Sequence, residues 1–123
     1  MPGYGFPRKL RLTEAAQFTA VFKTATRKVS GRYFLILARE NQLEHARLGL
    51  VVGKKNVPKA IRRNRLKRLL RNSFRLNQDL LAGLDIVILA RSDIRGIENR
   101  TITENLGRQL GELVNQSTSR PQR

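Results

Sequence analysis

The sequence predicts an α+β fold, a single-domain α/β sandwich with a small central sheet and three helices. Its 123 residues suit one domain with one modest core, and its 40% apolar residues are spread along most of the chain. Segments with helical periodicity are interleaved with short apolar runs in the order helix, two strands, helix, strand, helix. One sheet with helices packed against it accommodates that order. We expect residues 1–123 to form a single domain.

The first helix is expected to begin at Thr13, whose hydroxyl can cap it, with Glu14 favourable in the first turn. It is expected to end near Thr26. Its apolar side chains fall on one face and form an aromatic stripe: Phe18, Val21, Phe22 and Ala25.

Three apolar runs rich in aliphatic residues predict strands at residues 33–38, 48–52 and 85–90. The polar segment 39–45 is short enough for a hairpin loop, which predicts antiparallel pairing of the first two strands.

Two further helices complete the pattern. Pro58 suits the first turn of a helix that continues to Phe74 or Arg75. The last helix is expected over residues 99–116, although Gly107 and Gly111 weaken it. Its apolar face carries Ile102, Leu106, Leu110, Leu113 and Val114. We expect an irregular arm at residues 1–9 and a flexible tail at residues 117–123.

The charge is the strongest global feature. Twenty-five Lys and Arg against 9 Asp and Glu give +16, which attracts polyanions. Nucleic acid is the first candidate, since membrane binding would also need lipid-directed apolar features. We expect no membrane association. The absence of cysteine excludes disulfides and thiolate zinc sites, and the Pro- and Gly-rich start lacks a signal-peptide run, so we expect a cytoplasmic protein.

The cations are concentrated in one helix. Residues 54–75 hold 10 of the 25 and no acid. Like charges four residues apart repel by a few tenths of a kcal/mol per pair, so the pattern indicates an external polyanion, a solvated basic face being the alternative. Arginine dominates, which favours forked contacts to phosphate. Asn64 can read a sugar hydroxyl or orient its neighbours, although capping or solvent exposure fits a lone Asn almost as well.

The helix is also amphipathic. One side holds Leu66, Leu69, Leu70 and Phe74, and the opposite side holds Asn64, Lys67, Arg68, Arg71 and Arg75. Arg62 and Arg63 project toward the apolar side in the first turn, where they could line a groove beside the sheet.

Four segments together resemble the bacterial ribonuclease P protein family. They are RNRLKRLLR at residues 63–71, RLGLVV at 47–52 followed by Lys54-Lys55, QFTAVF with Phe18 and Phe22, and DIVILAR at 85–91. The resemblance spans most of residues 7–115. The chain departs from the family pattern at Gly53 and at Val57-Pro58, in the loop before the basic helix.

The resemblance implies a fold of order αβββαβα with a left-handed βαβ crossover, which general handedness rules would not predict. It implies that the basic segment contacts the catalytic RNA subunit through Lys54, Lys55, Arg62, Arg63, Asn64, Arg65, Lys67, Arg68 and Arg71. A cleft for the single-stranded 5′ leader of precursor tRNA would be lined by Phe18, Phe22, Lys23 and Phe34, where aromatic rings can stack on unpaired bases. The spacing of Phe18 and Phe22 fits an ordinary core equally well.

The resemblance also implies a division of labour. The nine acids are scattered along the chain and His45 is the only histidine, so we expect neither catalytic residues nor a metal site in this chain. The holoenzyme would be an endonuclease whose RNA subunit, with Mg²⁺, performs the hydrolysis. The expected partners are the ribonuclease P RNA and the precursor tRNA leader, with no protein partner required. The alternative is a structural ribosomal or other rRNA-binding protein.

Overall fold

The structure, a computed structural model, describes residues 8–91, 94 and 96–119, and within them it is an α+β fold. After a 3-10 turn at Arg8–Leu10, the described elements follow in the order α1, β1, β2, β3, α2, α3, β4, α4. The helices are α1 Ala15–Thr24, α2 Ala60–Leu76, α3 Gln78–Leu81 and α4 Asn99–Ser119. The strands are β1 Arg27–Ser30, β2 Phe34–Glu40, β3 Arg47–Val51 and β4 Leu84–Ala90. The predicted fold class is confirmed.

The four strands form one mixed sheet in the order β1-β2-β4-β3. β2 pairs antiparallel with β1 and β4, whereas β3 pairs parallel with β4. The predicted hairpin between residues 33–38 and 48–52, which correspond to β2 and β3, is therefore wrong, because β4 lies between these two strands. β4 can occupy this central place because nearly all of its residues are buried. The left-handed β3–α2–β4 crossover stays a prediction.

The sheet has two different faces because side chains alternate along each strand. The closed face, covered by α2 and α4, carries Phe34, Ile36, Ala38, Leu48, Ile86 and Ile88, all buried. The open face, on the side of α1, carries Leu35, Leu37, Gly49, Val51, Val87 and Leu89. Four of these, Leu35, Leu37, Val51 and Leu89, are only half-buried, because the ten-residue α1 covers part of the face.

The two long helices bury the faces that their periodicity predicted. Leu66, Leu70 and Phe74 of α2 are buried against the closed face, and Leu69 is half-buried beside them. α4 contributes Ile102, Leu106, Leu110 and Leu113 to the same core. The glycines of α4 lie on its exposed side. At about 25 cal/mol per Å² of buried apolar surface, this core is the main source of stability.

Helix boundaries differ from expectation at the start of two helices. Glu14, not Thr13, is the N-cap of α1, and Gln17 Oε1 accepts hydrogen bonds from both of their backbone N–H groups at 2.9 and 2.7 Å. Pro58 lies outside α2, because Lys59 is the N-cap.

The remaining differences concern short elements and the ends of the chain. The residue pattern had not indicated β1 or α3. α4 continues through Ser119, so residues 117–119 are helical rather than a tail. Residues 1–7 of the expected arm and 120–123 of the expected tail lie outside the described residues.

β1 lies at one edge of the sheet and is tied to α4. Gln116 Oε1 accepts a hydrogen bond from the Lys28 N–H at 2.9 Å, and its Nε2 donates to the Lys28 carbonyl at 2.6 Å. An Arg27–Glu40 ion pair of 3.2 Å joins β1 to β2.

A buried polar cluster organises the other end of the central strand. Asp85 is 3% exposed and accepts two hydrogen bonds of 2.8 Å from the Arg47 guanidinium, which raise the pKa of Arg47. Asn41 donates to the same carboxylate at 2.9 Å and to the His45 carbonyl at 3.1 Å. The cluster therefore fixes the β2–β3 connection against β3 and β4.

Candidate nucleic-acid interface

The outward side of α2 is a continuous basic surface. Arg62, Asn64, Arg65 and Arg68 are exposed, whereas Arg63, Lys67 and Arg71 are half-buried at its margins. Within the described part of the chain, no cation of α2 pairs with a carboxylate; the ion pairs there are Arg27–Glu40 and Arg47–Asp85. The described carboxylates thus leave the charge of α2 unpaired, as a binding surface for phosphates requires.

Arg63 has a structural contact that the sequence did not indicate. Its Nη1 donates to the Val57 carbonyl at 3.0 Å and to the Pro58 carbonyl at 2.8 Å. α2 has no side-chain cap at its first turn. Arg63 therefore holds the entry to the helix, which limits the part of its guanidinium that can face RNA.

The loop between β3 and α2 presents Lys54 and Lys55 to solvent. Asn56 Nδ2 donates to the Ala90 carbonyl at 2.9 Å, and this bond ties the loop to the end of β4. A Cβ atom built on Gly53 would have no neighbour within 4 Å, so the departure from the family pattern there has no steric cause.

A pocket of about 120 Å³ lies between α1 and α2 at the edge of β3. We call it the junction pocket; it is lined by Arg11, Leu12, Phe18, Leu48, Leu50, Lys67 and Arg71. Burial, and next to it the charge of Arg11, lowers the pKa of Arg71. Two cations held near each other in a partly buried place favour an anion between them.

Of the two aromatic residues of α1, Phe18 lines this pocket. The Phe18 ring packs directly on β3, since a Cβ atom at Gly49 would lie 2.6 Å from a carbon of that ring. Phe22 is 45% exposed and Lys23 is exposed. Val21, not the phenylalanine pair, is the fully buried residue of α1. Phe18 therefore packs on the sheet and is also partly exposed, whereas Phe22 lies chiefly at the surface.

The expectation for Phe34 is wrong. Its side chain is 0% exposed and belongs to the core between the sheet, α2 and α4. It projects from the closed face, whereas Phe18 packs on the open face. Its ring therefore cannot stack on a base beside Phe18 and Phe22.

Two arginines of the surface were missed from sequence. Arg11 reaches the junction pocket because residues 11–12 run along β3, where the Leu12 N–H donates to the Leu48 carbonyl at 3.0 Å. Arg100, at the start of α4, lies near Arg62 and Arg65. Both are isolated in sequence from the basic segment, so only the tertiary fold reveals them.

The described residues offer little for metal chemistry. No group of three or more His, Cys, Asp or Glu side chains among them could hold a metal ion. Nor does any helix in the described part of the chain have the length and apolarity needed to cross a bilayer.

Comparison with known proteins gives a consistent result. The family model described as Ribonuclease P matches residues 6–114. A ribonuclease P protein component from Pseudomonas putida is 56% identical over 108 residues, covering 88% of this chain and 81% of the relative. Its counterpart from Azotobacter vinelandii is 52% identical over 117 residues, covering 95% and 88%.

Solved structures agree with the sequence relatives. The RNase P protein of Thermotoga maritima is 34% identical, with a TM-score of 0.72 over 85% of this chain and 96% of that one. The RNase P protein of Staphylococcus aureus is 28% identical, with a TM-score of 0.77 over 83% and 93%. Because the family model spans most of the chain and relatives above half identity cover it, this chain belongs to the ribonuclease P protein family.

Proposed function

We propose that this chain is the RNA-binding subunit of ribonuclease P and assists the RNA subunit in removing the 5′ leader of precursor tRNA. The observation that carries the proposal is the junction pocket. It brings Phe18 of α1 together with Lys67 and Arg71 of α2 and with Arg11. An aromatic ring and phosphate-binding cations in one pocket suit single-stranded RNA.

The two predicted surfaces then form one continuous path. The α2 surface offers exposed arginines to the RNA subunit, and the half-exposed open face with Phe18, Phe22 and Lys23 offers stacking and charge to an unpaired leader. Leu35, Val51 and Leu89 provide a half-buried apolar floor for that leader. The leader would therefore leave the RNA subunit at the junction pocket and continue along α1.

Hydrolysis would be the work of the RNA subunit. The carboxylates in the described part of this chain are not arranged to hold Mg²⁺, so RNA phosphates would bind the ion that activates water. The protein would contribute cation density and leader contacts. We expect a cytoplasmic location for the complex.

Reconstitution tests this function. Binding to purified ribonuclease P RNA should be tight and salt-sensitive, and adding the protein should increase cleavage of precursor tRNA at low Mg²⁺. Replacing Arg68→Ala together with Arg71→Ala should weaken RNA binding and reduce the salt slope by about 1 to 2, with an unchanged circular dichroism spectrum.

The alternative, a structural rRNA-binding protein, makes the opposite prediction. It requires equal preference for ribosomal RNA and no effect on precursor cleavage. That result would overturn the proposed function.

A further inference from the structure

A second pocket lies between α2 and α4, on the other side of α2 from the junction pocket. This α2–α4 pocket has a volume of about 110 Å³. Its walls combine apolar and cationic side chains: Val57, Leu66, Ile94, Ile97 and Ile102 with Arg62 and Arg65. Four of these five apolar residues are buried, and Ile97 is half-buried.

The mouth of the pocket is predominantly basic. It is shared by Arg62, Arg65 and Arg100, with Glu98 as the single acid among its lining residues. None of these arginines makes an ion pair in the described part of the chain. Two helices thus place three positive charges around the mouth of one apolar recess.

The chemistry of the recess selects its occupant. A phosphate alone would gain from the arginines but would lose hydration against the aliphatic wall. A nucleobase satisfies both parts, because its ring can enter the apolar recess and stack against a guanidinium plane while its phosphates remain at the mouth. The volume is suited to one base rather than to a duplex.

We propose that the α2–α4 pocket binds one unpaired base of the ribonuclease P RNA. This proposal rests on the proposed function. A base contact would let the protein recognise a particular RNA shape, which contacts to phosphates alone would not do. The precursor leader is not the occupant, because its proposed path follows α1 and the open face, whereas α2 and α4 lie on the closed face. The pocket gives the protein a fixed register on its RNA partner.

The absence of cysteine from this chain allows a direct test. An Ile97→Cys variant carries a single thiol on the pocket wall, and N-ethylmaleimide added after folding would fill the recess without removing a charge. Bound ribonuclease P RNA should slow alkylation at this position at least tenfold. Alkylation before RNA is added should weaken binding about tenfold, with an unchanged salt slope, because a base contact and no phosphate contact is lost.

Chemical probing of the RNA identifies the base. One unpaired base should be protected by the unmodified protein and should regain reactivity when the thiol is alkylated. Leu80→Cys is the matched control, since Leu80 is 65% exposed on α3, beyond the opposite end of α2. Its alkylation should change neither binding nor base reactivity. Asn99→Cys, at an exposed position on the same pocket, provides a second measurement if Ile97→Cys does not fold.

Two outcomes contradict the proposal. Equal alkylation rates with and without RNA would show that the recess stays empty in the complex. Unchanged affinity after alkylation would show that the recess contributes nothing. Failure of the unmodified wild-type chain to bind ribonuclease P RNA would be a different result, since it would overturn the proposed function itself and the pocket proposal with it.

Discussion

The two faces of the sheet are built from alternate residues of the same strands, yet they differ in exposure. On the closed face, Phe34, Ile36 and Ile88 are 0% exposed beneath α2 and α4. On the open face, Leu35, Leu37 and Leu89 are half-buried beside the shorter α1. Alternate residues of one strand therefore serve different purposes: one set stabilises the fold, and the other is available for binding. Substitutions on the closed face should change the free energy of unfolding, and those at the half-buried positions of the open face should change RNA affinity.

The largest expected effect is that of Phe34→Ala. Removing a fully buried ring should lower the free energy of unfolding by about 3–5 kcal/mol, since a cavity remains in the core. Urea unfolding followed by circular dichroism measures it. A loss below about 1 kcal/mol would show that the closed face is not sealed around Phe34.

Gly49→Ala should have the next largest effect, because it should change both the stability of the fold and the binding of the leader. The added Cβ would contact the Phe18 ring at 2.6 Å, so the ring must move. We expect a loss of about 1–3 kcal/mol in the free energy of unfolding together with weaker leader binding.

The control for Gly49→Ala is the double variant Gly49→Ala with Phe18→Leu. It should be more stable than the sum of the two single changes predicts, since the smaller side chain removes the clash. Simple additivity would show that Phe18 does not depend on the glycine.

Phe22→Ala is the matched counterpart of Phe34→Ala, the same truncation on the opposite side of the sheet. Because Phe22 is 45% exposed, we expect less than about 1 kcal/mol of lost stability. Affinity of the reconstituted enzyme for precursor tRNA with a leader should fall about tenfold, while affinity for mature tRNA should be unchanged. Equal losses for both RNAs would assign Phe22 to packing.

The smallest effect concerns the margin of the closed face, where Glu40 pairs with Arg27. Burial raises the pKa of Glu40, but the Thr26 hydroxyl, the backbone and Arg27 together more than offset this, so its pKa lies below 4.5. The carboxylate therefore stabilises the fold above pH 4.5, and this contribution is lost as the pH falls through the lowered pKa.

Comparison of the wild type with Glu40→Gln measures that contribution. The difference in the free energy of unfolding should be small at pH 7, because the Glu40 side chain is 49% exposed, and should shrink toward pH 3. A difference that grows on acidification would contradict the assignment.

Sequence alone predicted the apolar runs of β2, β3 and β4 and the buried sides of α2 and α4, because these follow from local periodicity. It did not predict the sheet order, since insertion of β4 between β2 and β3 depends on contacts distant in the chain. β1 was not indicated because, of its residues Arg27–Ser30, only Val29 is apolar. The left-handed crossover and the individual RNA contacts stay predictions.

The candidate site shows the same limit at the level of single residues. The charge pattern of α2 was sufficient to place Asn64 and Arg68 on the exposed side. Phe34 was assigned to the leader cleft through the family resemblance. The residue pattern could not correct this, because Phe34 to Ala38 is apolar at every position and such a run does not reveal which alternate set faces which side. Arg63 was counted with the other cations because its contacts to the Val57 and Pro58 carbonyls depend on the turn before the helix.

The side-chain amide of Gln116 has a consequence for the free protein. By accepting from the Lys28 N–H and donating to its carbonyl, it imitates one residue of a neighbouring strand. Unpaired edge groups of this kind recruit strands from other chains, and edge-to-edge association leads to aggregation. The end of α4 thus occupies the position at which a second copy could add to β1. A chain awaiting its RNA is protected there by one glutamine.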